Sequence, residues 1–479
     1  MHWHGRGCEV ETMPSARLAS VLPLLALVGC YDGGSRDATG EATSAGPTPG
    51  SISLSGEVPT TGVDPTQGGS VSSGTGGGNS NSESASGGTT EALTGGGLKF
   101  DLGVTPDVGS MGCGDSGGDT DTMFSYIWIA NSGQGTVSKI NTKTGIEEGR
   151  YYVEGASPSR TSVNLQGDVA VSARDPGGVT KIAATKERCV DTNGDGQIST
   201  STGPNDILPK GSDECVLWFK SIPSPSYSYG PRATAWEGVK ADPVTCIVPT
   251  PRLWFGWLDA QATAHFMRVD GSTGATLDEV TYPWPSGDGY APYGGAVNAA
   301  GDFFATGLNA GPAVKIDAVT LQITDYGIPG GCKYGMTLDA DGNIWNGGCI
   351  GGNMYVYDMA LSQWFDIGNA AGSRVNGVMA DRDGNIWGAG SDPCRLVHVD
   401  AKTRTYVNPS IPLPGCSSPW GVSIDVDGFV WVVDMSANVA FKVNPDTYQV
   451  ELTVGGLINP YTYSDMTGAG LNLQVNPPG

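Results

Sequence analysis

The sequence predicts an all-β protein: a seven-bladed β-propeller of four-stranded antiparallel blades, carried behind a disordered Gly/Ser/Thr-rich tether. Three observations predict it. A Trp-bearing hairpin phrase returns every 41–44 residues, a second phrase ending in Asp or Asn keeps step with it, and the composition changes abruptly near residue 121. The 479 residues include 74 glycines and 31 prolines and only 38% hydrophobic residues, too few for one evenly packed core, so part of the chain is linker. The 26 basic and 49 acidic side chains leave a net charge of −23 with no Lys/Arg run, which repels phosphates and excludes a nucleic-acid partner.

Residues 1–30 have the layout of a lipoprotein signal peptide. Arg17 precedes the apolar run Leu18 to Val28, about half the ~20 residues a membrane-spanning helix needs, and Leu27-Val28-Gly29-Cys30 is similar to a bacterial lipobox. That resemblance implies cleavage before Cys30 and acylation of its thiol, so the protein would meet the membrane through lipidated Cys30. Residues 1–12 make a poor charged leader, which places the true start at Met13. From 31 to 121 the chain is Gly, Ser, Thr, Pro and Asp, with stretches such as Ser73-Gly-Thr-Gly-Gly-Gly-Asn79. Such a segment cannot offset its chain entropy by burial, and as a coil it spans roughly 50 Å.

From 122 to 479 the core begins, and eleven of the twelve tryptophans lie there. The hairpin phrase reads Asp341-Gly-Asn-Ile-Trp345, Asp383-Gly-Asn-Ile-Trp387 and Asp427-Gly-Phe-Val-Trp431, with degenerate copies at Ala300–Phe304, Gln166–Ala170, Arg252–Gly256 and Tyr126–Ala130. Each full copy is an alternating strand, a turn that tolerates positive φ, and a Trp-bearing strand. The second phrase, at Asn141, Asp270, Asp317, Asp358, Asp400 and Asn444, ends a strand in a residue whose side chain closes the next turn. Asp339/Asp341, Asp381/Asp383 and Asp425/Asp427 accordingly read as turn formers rather than ligands. Four short strands per repeat, seven times, make propeller blades. The excess length falls in an insertion at about 187–251, and the first copy lacks a leading strand that Pro460–Asp465, at the other end, can supply to close the ring.

The leading phrase Pro419-Trp-Gly-Val422 with Asp427-Gly-Phe-Val-Trp431 resembles the repeat of virginiamycin B lyase (streptogramin lyase)-like propellers, and more distantly that of NHL-repeat and gluconolactonase-type propellers, over residues 123–479. The resemblance implies a site at the central mouth where histidines, glutamates and a magnesium ion open a cyclic depsipeptide by elimination, one histidine standing directly before the Gly of the leading phrase. Trp420 holds that position here. The same position round the ring gives Ser159 or Arg160, Arg232, Tyr293, Tyr334, Asn376, Trp420 and Tyr461, none of them His, Asp or Glu. His265 and His398 fall in the outer phrases, and a general base needs hydrogen-bond reach to its proton, so the lyase's catalytic pattern is not matched. Three tyrosines, a tryptophan and an arginine offer flat faces to a sugar or peptide and a fork to a carboxylate or phosphate; packed on one another, they plug the tunnel instead.

Asp191-Thr-Asn193-Gly-Asp195-Gly-Gln197-Ile-Ser199 follows the first nine positions of an EF-hand loop, which points to a structural Ca²⁺. Thr202 stands where the bidentate Glu belongs, leaving Asp206, Asp213 or Glu214 to complete the shell. Eight cysteines follow Cys30, an even number that reads as disulfides in an exported domain. Proximity pairs Cys189 with Cys215, Cys332 with Cys349 and Cys394 with Cys416, and leaves Cys113 with Cys246. The expectation is a lipid-anchored binding or scaffold protein of the bacterial cell envelope, on the outer membrane, periplasmic or surface-exposed, that takes a protein, peptide or glycan. A lyase- or lactonase-like enzyme acting on a cyclic ester, and a purely structural surface protein, are the alternatives.

Overall fold

The computed structural model describes residues 126–239, 248–349, 351 and 353–478, so the leader, the tether and the Cys113–Cys246 pair lie outside the described residues. Seven antiparallel sheets follow one another along the chain, six of four strands and one of three. The first strands of the six complete blades are Pro158–Val163, Thr234–Trp236, Gly294–Val297, Lys333–Leu338, Arg374–Ala380 and Pro419–Ile424, and each neighbours the next around a central tunnel. The three-stranded sheet, Tyr126–Asn131, Thr136–Asn141 and Glu147–Tyr152, is the first blade.

The carboxyl end of the chain completes that blade, as the sequence predicts. Asn131 bridges to Pro460, Tyr461 N–H donates to the Ala130 carbonyl at 3.0 Å, and Trp128 N–H donates to the Met466 carbonyl at 2.9 Å. The segment pairs at its two ends rather than along a full ladder. Pro460 has no N–H to give, and Thr462 and Ser464 turn their hydroxyls to Thr161 of the second blade. The segment thereby covers the inner edge of Tyr126–Asn131 among the described residues.

The repeated phrases have a common physical job. Asp339, Asp381 and Asp425 each accept the indole N–H of Trp345, Trp387 or Trp431 at 2.8 Å through one carboxylate oxygen. Through the other they accept two backbone N–H groups of the turn. The carboxylate thus shapes the hairpin and satisfies a tryptophan that is fully buried in the core. In the outer phrase, Asn141, Asp270, Asp317 and Asn444 accept from the N–H groups two and three residues on and so close the turn to the outermost strand.

Two features depart from the expected layout. The extra length is split: residues 183–215 leave between the third and fourth strands of the second blade, and 237–251 between the first and second strands of the third, with strands Val216–Ser221 and Thr234–Trp236 lying between them. The ends of the first loop are held by the Cys189–Cys215 disulfide, Cα atoms 4.4 Å apart. The chain also ends in a helix, Ala469–Val475. Its seven residues are too few for a readable 3.6-residue period. Asp465 starts it by accepting from Gly468 N–H at 2.8 Å and Leu471 N–H at 2.9 Å, and Leu471, Leu473 and Val475 are buried. The helix packs on the far ends of the first strands, where the tunnel narrows to a cavity of about 30 Å³ lined by Trp236, Met336, Met379 and Asp465.

Candidate functional site

The near end of the tunnel is built from the starts of the same first strands. Tyr293, Tyr334 and Tyr461 converge there: the Tyr293 hydroxyl lies 3.2 Å from both other hydroxyls, and those of Tyr334 and Tyr461 are bonded to each other. Trp420 Nε1 donates to the Tyr334 oxygen at 2.9 Å. Ring centroids of Tyr334 and Trp420 are 5.5 Å apart in an edge-to-face arrangement. Of these rings Tyr293 and Tyr334 are buried, while Trp420 and Tyr461 keep partial exposure at the tunnel mouth. Asn376 is adjacent but turned away, its amide donating to Ser391 Oγ and the Pro419 carbonyl.

Arg160, rather than Ser159, reaches the cluster. Its guanidinium carbon sits 3.1 Å from the Tyr463 ring centroid and 4.9 Å from that of Tyr293, whereas Ser159 Oγ is buried without a partner. Arg232 lies 5.3 Å from the Tyr293 centroid. Four residues join that the leading phrase does not mark. Tyr463 is two positions along the closing segment from Tyr461, an alternation that could have found it. Arg174 ends the second strand of the second blade, and Tyr227 and Tyr290 come from connecting loops, where no repeat position points to them. Arg174 lies 4.4 Å from the Tyr227 centroid and 4.7 Å from that of Tyr461. The Cys332–Cys349 disulfide borders this cluster.

Burial sets the electrostatics. It pulls the Arg160 guanidinium down to about 9 and lowers Arg174, and it pushes the Tyr293 and Tyr334 phenols up. Burial also acts to raise Tyr461, but the Arg160 cation, the two neighbouring hydroxyls and Arg174 outweigh it, so Tyr461 is lowered. The site is therefore cationic and aromatic, able to stack a flat ring and to donate to an oxyanion. It does not fit the magnesium ion that the lyase resemblance implies, because guanidinium groups repel a cation and no carboxylate bonds to the cluster among the described residues.

The remaining sequence candidates lie elsewhere. His265 and His398 are on third strands, stacked on Trp257 and Trp387. In the EF-hand-like loop, Asp191 accepts from Gly194 and Gly196 N–H at 2.6 and 2.9 Å, Asn193 from Asp195 N–H, and Asp195 from Gln197 N–H. Asp206 meets the loop at its twelfth position, its carboxylate accepting from Thr202 N–H at 3.1 Å and Thr202 Oγ1–H at 2.7 Å. Glu214 accepts from Thr192, Asn193 and Ser199 N–H, bracing the loop from inside. Among the described residues no group of three or more His, Cys, Asp or Glu side chains gathers as a metal site. The third disulfide joins Cys394 and Cys416, Cα atoms 6.2 Å apart.

No protein-family model matches the chain, and no curated protein matches it. Among solved structures it is similar to virginiamycin B lyase from Staphylococcus aureus, at 16% identity over 64% of this chain and 87% of that one, TM-score 0.44. It is also similar to AztD from Citrobacter koseri, at 10% identity over 70% and 96%, TM-score 0.44. A protein from Lactobacillus plantarum gives 12% identity over 71% and 98%, TM-score 0.48.

Proposed function

We propose that this chain is a ligand-recognition propeller of the cell envelope, held there by acylated Cys30 on its tether, and that it takes its ligand at the aromatic end of the tunnel. The observation that carries the proposal is the asymmetry of the ring. One end is covered by the helix Ala469–Val475 and its buried aliphatic side chains; the other presents Trp420, Tyr461 and Tyr227 with ring surface still exposed above a fixed lattice of phenols. Rigid rings held by hydrogen bonds lose little entropy when a sugar or peptide stacks on them. Ca²⁺ on Asp191, Asn193, Asp195 and the Gln197 carbonyl is proposed as a staple of the insertion, away from the ligand.

The test is a screen of the full chain and its Trp420→Ala/Tyr461→Ala variant against glycan and peptide arrays at matched thermal stability. A ligand retained by the wild type and lost by the variant supports the proposal. Equal retention, or no ligand on either array, overturns it.

A further inference from the structure

Among the described residues, three arginines at this end of the tunnel are buried without a counter-charge. Arg160 and Arg232 are each 1% exposed and Arg174 4%. Of the other buried cations among the described residues, Arg150, Lys181, Arg268 and Lys442 each have a carboxylate oxygen within 3.2 Å, while Lys333 donates to the Asn309 carbonyl at 2.7 Å. Among the described residues the tunnel arginines bond only neutral oxygens. Arg160 donates to the carbonyls of Ser159 and Tyr293, Arg232 to those of Ser228, Gly230 and Tyr227, and Arg174 to the Ser157 carbonyl and Ser132 Oγ. These bonds do not exhaust the donors: Nε of both Arg160 and Arg232 is buried and unpartnered. The three heads are close. Arg160 and Arg232 share the Tyr293 ring and Arg174 and Arg232 share that of Tyr227, so each pair lies within about 10 Å.

A buried charge is costly unless paired, and a buried donor costs free energy unless bonded. Three arginines placed together, to which no carboxylate among the described residues is supplied, leave buried donors that an anion from outside would satisfy. We propose that Arg160, Arg174 and Arg232 form a binding site for a small oxyanion, the carboxylate or phosphate of the ligand taken by the proposed mouth site. The inference rests on that mouth reading and adds the charge of the ligand. Entry is by way of Tyr227, which is 42% exposed and whose ring lies over Arg174 and Arg232. Its carbonyl accepts from Arg232 Nη2 at 2.9 Å.

The experiment is calorimetric titration of the full chain with inorganic phosphate and, separately, with benzoate, ionic strength held constant with chloride. The wild type should take up at least one of the two saturably. Phosphate alone assigns a phosphate ligand, benzoate alone a carboxylate, and both assign recognition by charge. Arg174→Gln should weaken binding at least ten-fold, Arg174→Lys should recover part of it, and Tyr227→Ala should bind at least as tightly as wild type. No saturable uptake of either anion, or equal affinity in Arg174→Gln at wild-type thermal stability, overturns the inference. A neutral glycan whose binding falls with Trp420→Ala/Tyr461→Ala but not with Arg174→Gln overturns the oxyanion site while leaving the mouth site standing.

Discussion

The imidazole of His398 ties the stability of the sixth blade to pH. It stacks on Trp387 with ring centroids 4.1 Å apart, Nε2 lies 2.8 Å from Asn385 Oδ1, and Nδ1 lies 3.0 Å from the Tyr448 hydroxyl. Asn385 Oδ1 can only accept, so Nε2 carries the proton and Nδ1 accepts from Tyr448; the neutral ring is satisfied. A second proton would place a charge in a site that is 7% exposed. Burial accordingly pulls His398 from its ordinary 6.5 to about 4, against an upward pull from Asp400. The folded value lies below the unfolded one, so this contribution is fully present above about pH 6.5 and is lost as pH falls toward 4. The difference in proton affinity amounts to about 2 kcal/mol at pH 5 and about 3 kcal/mol at pH 4. Urea unfolding of wild type and His398→Gln at pH 7 and pH 5 reads it out, because Gln can donate to Asn385 but does not titrate. The buried carboxyls of Asp425 and Asp465, both raised by burial, titrate in both proteins and cancel in the comparison. The wild type should lose about 2 kcal/mol more than the variant on going to pH 5. Parallel losses would refute the neutral, buried His398 described here.

Other perturbations test other parts of the ring. Asp425→Ala takes the acceptor from Trp431 Nε1 and strands Lys442, whose Nζ is 2.9 Å from that carboxylate. Calorimetry should show about 3–5 kcal/mol of lost stability, while exposed Asp427→Ala stays within about 0.5 kcal/mol. A stop after Gly468 removes Leu471, Leu473 and Val475 from the far end of the tunnel. At about 1.5–3 kcal/mol for each buried side chain, its thermal midpoint should fall clearly below that of the full chain. Raising Ca²⁺ to about 1 mM over a chelator-treated sample should raise the midpoint in wild type and not in Asp191→Ala/Asp195→Ala; no shift in wild type would refute the cation staple.

The propeller was legible because each blade repeats the physics of a turn. Asp339, Asp381 and Asp425 occupy one place in the phrase for one reason, the need to bond both the turn and an indole, and a need met repeatedly leaves a spaced signature. The ring of leading positions was legible for the same reason, and it led to Arg160, Arg232, Tyr293, Tyr334, Trp420 and Tyr461 at one end of the tunnel. Arg174, Tyr227 and Tyr290 were not, because they reach the cluster from a strand end and from loops that no repeat constrains. The helix Ala469–Val475 was hidden by its brevity, and the divided insertion by two short strands inside a stretch without the repeat phrase.

The two ends of the tunnel are built from opposite chemistries, which assigns stability and the proposed recognition to different ends. At the helix end, apolar side chains and a buried Asp465 that accepts from helix N–H groups leave little unbonded polarity, so substitutions there should act through folding. At the aromatic end, Arg160 and Arg232 retain buried donors with nothing to receive them. That is a standing cost in the free protein that any suitable acceptor relieves on arrival. A chain of net charge −23 repels anions at long range, so such a site is reached through its local field, within about one Debye length of 8 Å at physiological salt. Binding there should therefore weaken as salt screens that local attraction, whereas stacking on Trp420 and Tyr461 should scarcely respond. Affinities of one ligand at two chloride concentrations, in wild type and Arg174→Gln, would separate the two contributions. A salt dependence unchanged by the loss of Arg174 would refute the division of labour between the charged floor and the aromatic rim.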